Sequence, residues 1–297
     1  MANTDINEVD LAQVDHQQLT SFGNVDLVLG GPPCQDFSAV GKQQGYDHDR
    51  GSLISSFQKT VACLRPSAFL FENVPNMKSS KWIENFNTFR ELLTFSGEYE
   101  VEDYLLNCAD YGCATVRERI FILGLHRHTN LRPSCPEPTH SDQPTLFGGG
   151  LPHVTVNHAL TGLRAPSLSK CSDSHFAPIH EPEIVARFQR LKPNERDQIR
   201  RRNRLDGDAP AYTLFAGGER GGTRSHIHPT EPRELTPREC ARIHGFPDDF
   251  LFAGNKSQIA IQIANSVPIP IASAWGDHLA HLLDSSIDAP NVREAAS

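Results

Sequence analysis

Val25-Asp26-Leu27-Val28-Leu29-Gly30-Gly31-Pro32-Pro33-Cys34-Gln35-Asp36-Phe37-Ser38 is the stretch on which the reading of this chain turns. Its apolar run reads as a strand, and two glycines followed by two prolines read as the tight turn that ends it. The glycines let the backbone bend sharply and the prolines fix the bend, so Cys34 is held out from the strand end as a candidate nucleophile. A cysteine after a strand is ordinarily a small buried apolar residue, and the flanking turn is what argues against that here. A free thiol titrates near about 8.5, so a nearby cation such as Arg117 or Arg119 would raise its thiolate fraction.

Further along, Phe69-Leu70-Phe71 runs into Glu72-Asn73-Val74, and Arg117-Glu118-Arg119 abuts Ile120-Phe121-Ile122-Leu123. Thiol, carboxyl and guanidinium thus all fall at strand ends, where open α/β sheets build their sites. Burial of Glu72 after an apolar run is expected to favour the protonated acid, which can donate a hydrogen bond; the alternative is a structural ion pair with an arginine. An extended segment projects Arg117 and Arg119 to one side and Glu118 to the other. Such a fork suits a phosphate or the polar edge of a base, and ordinary surface charge is the plain alternative.

Apolar residues recur at helical spacing over Leu53, Ile54, Phe57, Val61 and Leu64, and again over Trp82, Phe86, Phe89, Leu92 and Leu93. The short run from Ala68 to Phe71 lies between them, so the order is strand, helix, strand, helix, and a mainly parallel sheet covered by helices is expected. Residues 132–150 and 209–229 are rich in Gly, Pro, Ser and Thr. They read as loops on a separate unit. Thr236-Pro237-Arg238-Glu239 is a capping box with proline at the first helical position, opening a helix that ends near Gly245. Residues 267–283 read as a closing amphipathic helix.

The 297 residues carry a formal charge of −8, which argues against a protein that coats nucleic acid by bulk attraction. Residues 187–204 run against that trend, with Lys192 and seven arginines facing only Glu195 and Asp197. That stripe is either a solvated face or a polyanion contact. Seven cysteines at irregular spacing, without a Cys-x-x-Cys pair, read as reduced thiols; His226 and His228 alone are weak evidence for a metal, and none is expected. No apolar run approaches the roughly 18 residues a membrane helix needs, and no basic-then-apolar leader opens the chain. A soluble cytoplasmic protein is expected.

Together these segments resemble the DNA (cytosine-5) methyltransferases. Residues 30–38 resemble the family's Pro-Cys-Gln nucleophile loop, Arg50-Gly51-Ser52-Leu53 its next cofactor-side motif, and Glu72-Asn73-Val74 its Glu-Asn-Val motif. Residues 115–120 are similar to its Gln-x-Arg-x-Arg motif, with Thr115 where Gln is usual. Residues 233–250 resemble the motif that seats the recognition domain, and 262–268 the final cofactor motif, with Ala264 in place of Gly.

The resemblance implies a class I, Rossmann-like methyltransferase sheet with a small inserted target-recognition domain. The expected layout is catalytic residues 1–125, recognition domain 126–231, and 232–297 completing the catalytic domain. It implies duplex DNA as substrate, S-adenosylmethionine as methyl donor and a flipped cytosine. Cys34 would add to C6, Glu72 would bond the N3 and amine edge, and Arg119, with Arg117, would hold the polar groups of the adduct. Cofactor contacts are expected from Asp5, Ile6, Pro32, Leu53, Asn265 and Val267. DNA contacts are expected from Gln35, Ser38, Thr213, Leu214 and Arg224, the last aimed at a guanine edge. The residues between are glycine-rich, which lets backbone approach bases.

Two family features have no counterpart, a glycine-containing first strand-to-helix turn and an acidic residue ending the second strand. Only 24 residues precede Val25. A strand, helix, strand unit takes about 30. With Thr4-Asp5-Ile6 resembling the third cofactor motif, the chain is expected to start just after the second strand and to be N-terminally incomplete. It would then be half of an enzyme completed by a separate N-terminal polypeptide or an upstream start, or a truncated form that binds DNA without turnover. A DNA-binding module with a vestigial pocket belongs to a different class. The family's tRNA-acting branch is disfavoured because the middle region carries no Cys-Phe-Thr segment like theirs.

Overall fold

Leu27–Gly30 (β1) pairs in parallel with Ala68–Asn73 (β2), from Leu27 opposite Ala68 to Gly30 opposite Phe71. β2 is buried from Ala68 to Phe71 on both faces, as a strand covered on each side must be, while Leu29 of β1 is 65% exposed. These coordinates are a computed structural model describing residues 24–32, 51–143, 150–167, 174–214 and 225–287, with the side chains of 51–53 and 286–287 outside the description. Gly51–Leu64 (α1) follows β1 and Ile83–Leu92 (α2) follows β2, the order expected from the spacing of apolar residues.

The sheet is less parallel than expected. Glu118–His126 (β5) runs antiparallel to β2, with Ala68 opposite Leu125 and Asn73 opposite Ile120. The sheet order is β1, β2, β5 and then Tyr99–Asn107 (β3). Backbone bonds from Arg127 N to Glu98 O and from Cys108 N to Arg117 O bracket the β3 and β5 segments. The chain thus doubles back through a short connection where a parallel neighbour would need a crossover.

The contacts divide the chain into two compact units, 1–106 with 118–135 and 277–297, and 107–117 with 136–276. In this division residues 232–276 fall with the middle of the chain. The first unit is built on aromatic packing: Phe57 meets Phe69 and Phe71 edge-on at centroid distances of 6.0 and 5.3 Å, and Phe71 meets Phe89 at 5.0 Å. Ile54, Val61, Ile120 and Ile122 complete that core.

The second unit, which also holds the short strands His140–Ser141 (β6) and Leu151–Pro152 (β7) and the helices Val156–Leu160 (α3) and Pro182–Arg190 (α4), buries Val156, Leu205, Ala211 and Leu214 with Leu235, Ala241, Ile243, Ile259 and Ile263. Those last five come from Leu235, Pro237–Ile243 (α5) and Lys256–Asn265 (α6), which explains the grouping. Pro237–Ile243 begins as expected. Thr236 accepts from the Glu239 N–H while the Glu239 carboxylate accepts from the Thr236 N–H, and Pro237 occupies the first helical position. Ile269–Ile287 (α7) is the closing helix, four residues longer than expected at its C-terminal end. Among the described residues, no helix is long and apolar enough to cross a membrane.

Candidate active site

The first unit gathers its polar groups at one end of β2. Glu72 forms an ion pair with Arg119, Oε1 to Nε at 3.0 Å, and both side chains are largely covered, at 19% and 11% exposure. The carboxyl is thus met by a guanidinium, the arginine ion pair that the sequence left open as the alternative to a neutral acid. Arg119 also donates from Nη1 to Glu118 O at 2.7 Å.

The turn after β1 lies against this pair. A Cβ placed on Gly31 would stand 3.2 Å from Glu72 Oε2, tighter than most real contacts, so a glycine there lets the backbone pass close over the carboxyl. Gly30 is constrained more severely, because a Cβ would come within 2.3 Å of the Phe57 ring. Asn73 ties the turn down, donating from Nδ2 to Pro32 O at 3.2 Å while its Oδ1 accepts from Val74 N at 2.8 Å. The sequence reading assigned Asn73 no role. Its signal was a buried amide at a strand end, where bare backbone groups need partners.

Cys34 lies two residues beyond Pro32 and outside the described residues, as do Gln35, Ser38, Asp5, Ile6 and Arg224; the Leu53 side chain is likewise undescribed. Glu72, Arg119 and the peptide leading to Cys34 therefore converge within one unit.

Arg117 is engaged by backbone carbonyls of the second unit. Its side chain belongs to the second unit, where it is buried and donates to Leu214 O at 3.2 Å, Ala264 O at 2.5 Å and Ser266 O at 3.4 Å. Ala264 and Ser266 sit at the C-terminal end of α6, where helix carbonyls lack intrahelical donors and a cation is favoured. Arg117 is thus a clamp holding that helix end to the Thr213-Leu214 segment.

That segment is gripped from other sides as well. Thr115–Val116 (β4) pairs in parallel with Ala211–Tyr212 (β8), Thr213 Oγ1 donates to Val116 O at 2.9 Å, and Thr115 is fully buried. His226 Nε2 donates towards Tyr212 O and Thr213 O at 3.2 and 3.3 Å. Burial holds the His226 imidazole below its ordinary pKa, against the raising effect of those two bonds. His228 accepts the Thr230 and Glu231 N–H groups on Nδ1, so both histidines are framework residues. No metal-binding cluster occurs among the described residues.

The second unit also contains a thiol that cannot serve as a nucleophile. Cys240 lines a cavity of about 220 Å³ with Leu214, Ser225 and Lys256, but burial pushes its pKa far up, keeping it protonated. Of the expected cofactor residues, Pro32 is half-buried in the first unit. Asn265 is exposed at the end of α6 and Val267 is half-buried just beyond. The Asn265 amide, which no described residue engages, is able to hydrogen-bond a ligand at the end of that helix.

A family model described as C-5 cytosine-specific DNA methylase matches residues 1–281. Among curated relatives, the type II methyltransferase M.NgoFVII of Neisseria gonorrhoeae is 32% identical over 89% of this chain and 71% of its own length. M.BbvI of Brevibacillus brevis, another type II methyltransferase, is 31% identical over 89% and 70%. Among solved structures, one assigned as a DNA modification methyltransferase encoded within an Escherichia coli prophage superposes with a TM-score of 0.72 at 27% identity, covering 93% of this chain and 85% of that one. The S. pombe Dnmt2 methyltransferase, at 14% identity and TM-score 0.58 over 94% and 84%, shares the fold. A separate complementing polypeptide finds no support in these matches. The chain belongs to the C-5 cytosine-specific DNA methylase family, whose members use S-adenosylmethionine as methyl donor.

Proposed function

We propose that this chain methylates C5 of cytosine within a short, specific duplex DNA sequence, acting on a flipped base through a covalent Cys34 adduct. The observation that carries the reading is the meeting of the Gly31 turn with Glu72 and Arg119, because it brings the approach to the thiol against an acid and a guanidinium. A cytosine within a duplex exposes neither ring face, so the base is turned out of the stack before it can react.

The Cys34 thiolate adds to C6, and the electron pair displaced from the C5–C6 bond makes C5 nucleophilic. Glu72 hydrogen-bonds the N3 and amine edge, where charge builds up as the adduct forms, and Arg119 fixes the Glu72 carboxyl while reaching the base's polar groups. S-adenosylmethionine, when bound, supplies an electrophilic methyl group. Pro32, Leu53, Asn265 and Val267, with Asp5 and Ile6, are the residues assigned to hold it. Loss of the C5 proton then expels the thiolate. Arg117 acts at one remove, fixing Thr213 and Leu214, from which the DNA-reading segment including Arg224 departs. Gln35 and Ser38 contact DNA beside the nucleophile. The reaction takes place in the cytoplasm.

Expression of the chain alone in a host without cytosine methylation tests this reading by bisulfite sequencing. One short motif is expected to become methylated, and a duplex carrying 5-fluorocytosine at that motif is expected to trap the protein covalently, but not the Cys34→Ser variant. An unmethylated genome with no trapped species overturns the proposal in favour of a form that binds DNA without turnover.

A further inference from the structure

The basic stripe seen in the sequence divides, in the structure, into arginines consumed by the fold and arginines left outside it. Arg204 is buried, donating to Pro229 O at 2.9 Å and Phe188 O at 2.8 Å. Arg187 pairs with Asp197 at 3.0 Å, and Arg202 lies 3.4 Å from Glu234. Arg196 and Arg201 are exposed and have no ion partner among the described residues.

Both sit on one tightly built turn. Arg196 bridges antiparallel to Asn203, Asp197 N donates to Arg202 O at 2.8 Å, and Arg201 N donates to Asp197 O at 2.8 Å. Asp197 is 3% exposed at the centre, and its carboxylate accepts from Arg200 N at 2.6 Å as well as from Arg187. Burial would raise the Asp197 pKa, yet the hydrogen bonds from Arg187 and the Arg200 N–H hold it below the ordinary value. The turn is thus built around a fixed anion that neutralises Arg187 and leaves the outer charges unopposed. Arg201 is held at φ 55°, a left-handed conformation that glycine adopts freely and arginine does not. Ile199, 73% exposed, shows that the tip projects into solvent.

We propose that the Asp197-centred turn is a phosphate-binding element, with Arg196 and Arg201 contacting the backbone of duplex DNA outside the sequence-reading segment. The inference rests on the methyltransferase reading for its occupant. Charge complementarity carries it: two unpaired guanidiniums on a rigid turn of a chain whose overall charge is −8. Such contacts position the protein on DNA without reading its sequence.

The test is the salt dependence of binding to a mixed-sequence duplex, measured by fluorescence anisotropy. Each phosphate contact contributes a slope of about −0.9 in log affinity against log salt, so Arg196→Gln/Arg201→Gln should make the slope shallower by about 1.8. Arg196→Lys/Arg201→Lys, which keeps both charges, should retain most of it. Lys59→Gln/Arg132→Gln removes the same charge from exposed positions in the other unit and should leave the slope close to wild type. The methylated motif should not change.

A glutamine variant with an unchanged slope, from a wild type that methylates DNA, overturns this inference and leaves the proposed function standing. A slope lost equally in the lysine variant also overturns it, since the geometry of the turn would then matter and its charge would not. A wild type that binds but does not methylate, with the slope still lowered in the glutamine variant, overturns the function and keeps the phosphate contact.

Discussion

Two arginine–glutamate pairs, one in each unit, show how the same chemistry is put to different uses. Arg233 meets Glu239 through two bonds of 2.7 and 2.8 Å and Glu231 through two more, and Glu239 is also half of the capping box on α5. These bonds tie Glu239 to Arg233 and to the helix start. Glu72 and Arg119 meet at 3.0 Å at strand ends, with Gly31 passing close over the carboxyl. The first arrangement secures a helix start. The second holds an acid beside the turn after β1, as the role proposed for Glu72 requires.

Removing the carboxylate separates the two most sharply. Glu239→Ala leaves the buried Arg233 with Glu231 as its remaining carboxylate partner and breaks the cap, so the second unit should lose about 2–4 kcal/mol of stability. The two tryptophans, Trp82 and Trp275, lie one in each unit, so denaturant unfolding followed by Trp275 fluorescence in a Trp82→Phe background reads this loss directly. Glu72→Gln should behave in the opposite way. Turnover should fall roughly 100- to 1,000-fold, equivalent to about 2.7–4 kcal/mol in the barrier, with an unfolding midpoint close to wild type. A large loss of stability in Glu72→Gln, with turnover intact, would make the two pairs alike and remove the distinction.

A gentler probe uses Asp197, the other buried carboxylate among the described residues of the second unit. Its folded pKa lies below the unfolded value of about 3.9, so its stabilisation is present above that value and fades as pH falls through the folded one. The midpoint difference between wild type and Asp197→Asn should therefore be constant from neutral pH down to about pH 5 and narrow on further acidification. A difference that widens in acid would reverse the sign assigned to this group.

What could be read from the sequence was chemistry that is local in the chain. The β1 strand and its Gly-Gly-Pro-Pro turn, the apolar spacing of α1 and α2, and the Thr236 capping box each declare themselves within a few residues. The Glu72–Arg119 contact was within reach because both residues end apolar runs. The separation of Arg117 from Arg119 was not legible. Alternation puts both on one side of an extended segment, but Arg117 is claimed by carbonyls of Leu214 and Ala264, far along the chain. The antiparallel course of β5 was hidden for a similar reason, since an apolar run carries no mark of strand direction. The stripe at 187–204 was visible as charge, but which arginines remain outside the fold depends on Asp197, Glu234 and two distant carbonyls.

The grip on Thr213 and Leu214 bears on how such a protein could be re-targeted. Leu214 and Ser225, the residues on either side of 215–224, are both buried, and the carbonyl of Leu214 is pinned by Arg117. Under the DNA-reading role proposed for this segment, a replacement of different length spliced between those two residues would keep both anchor points.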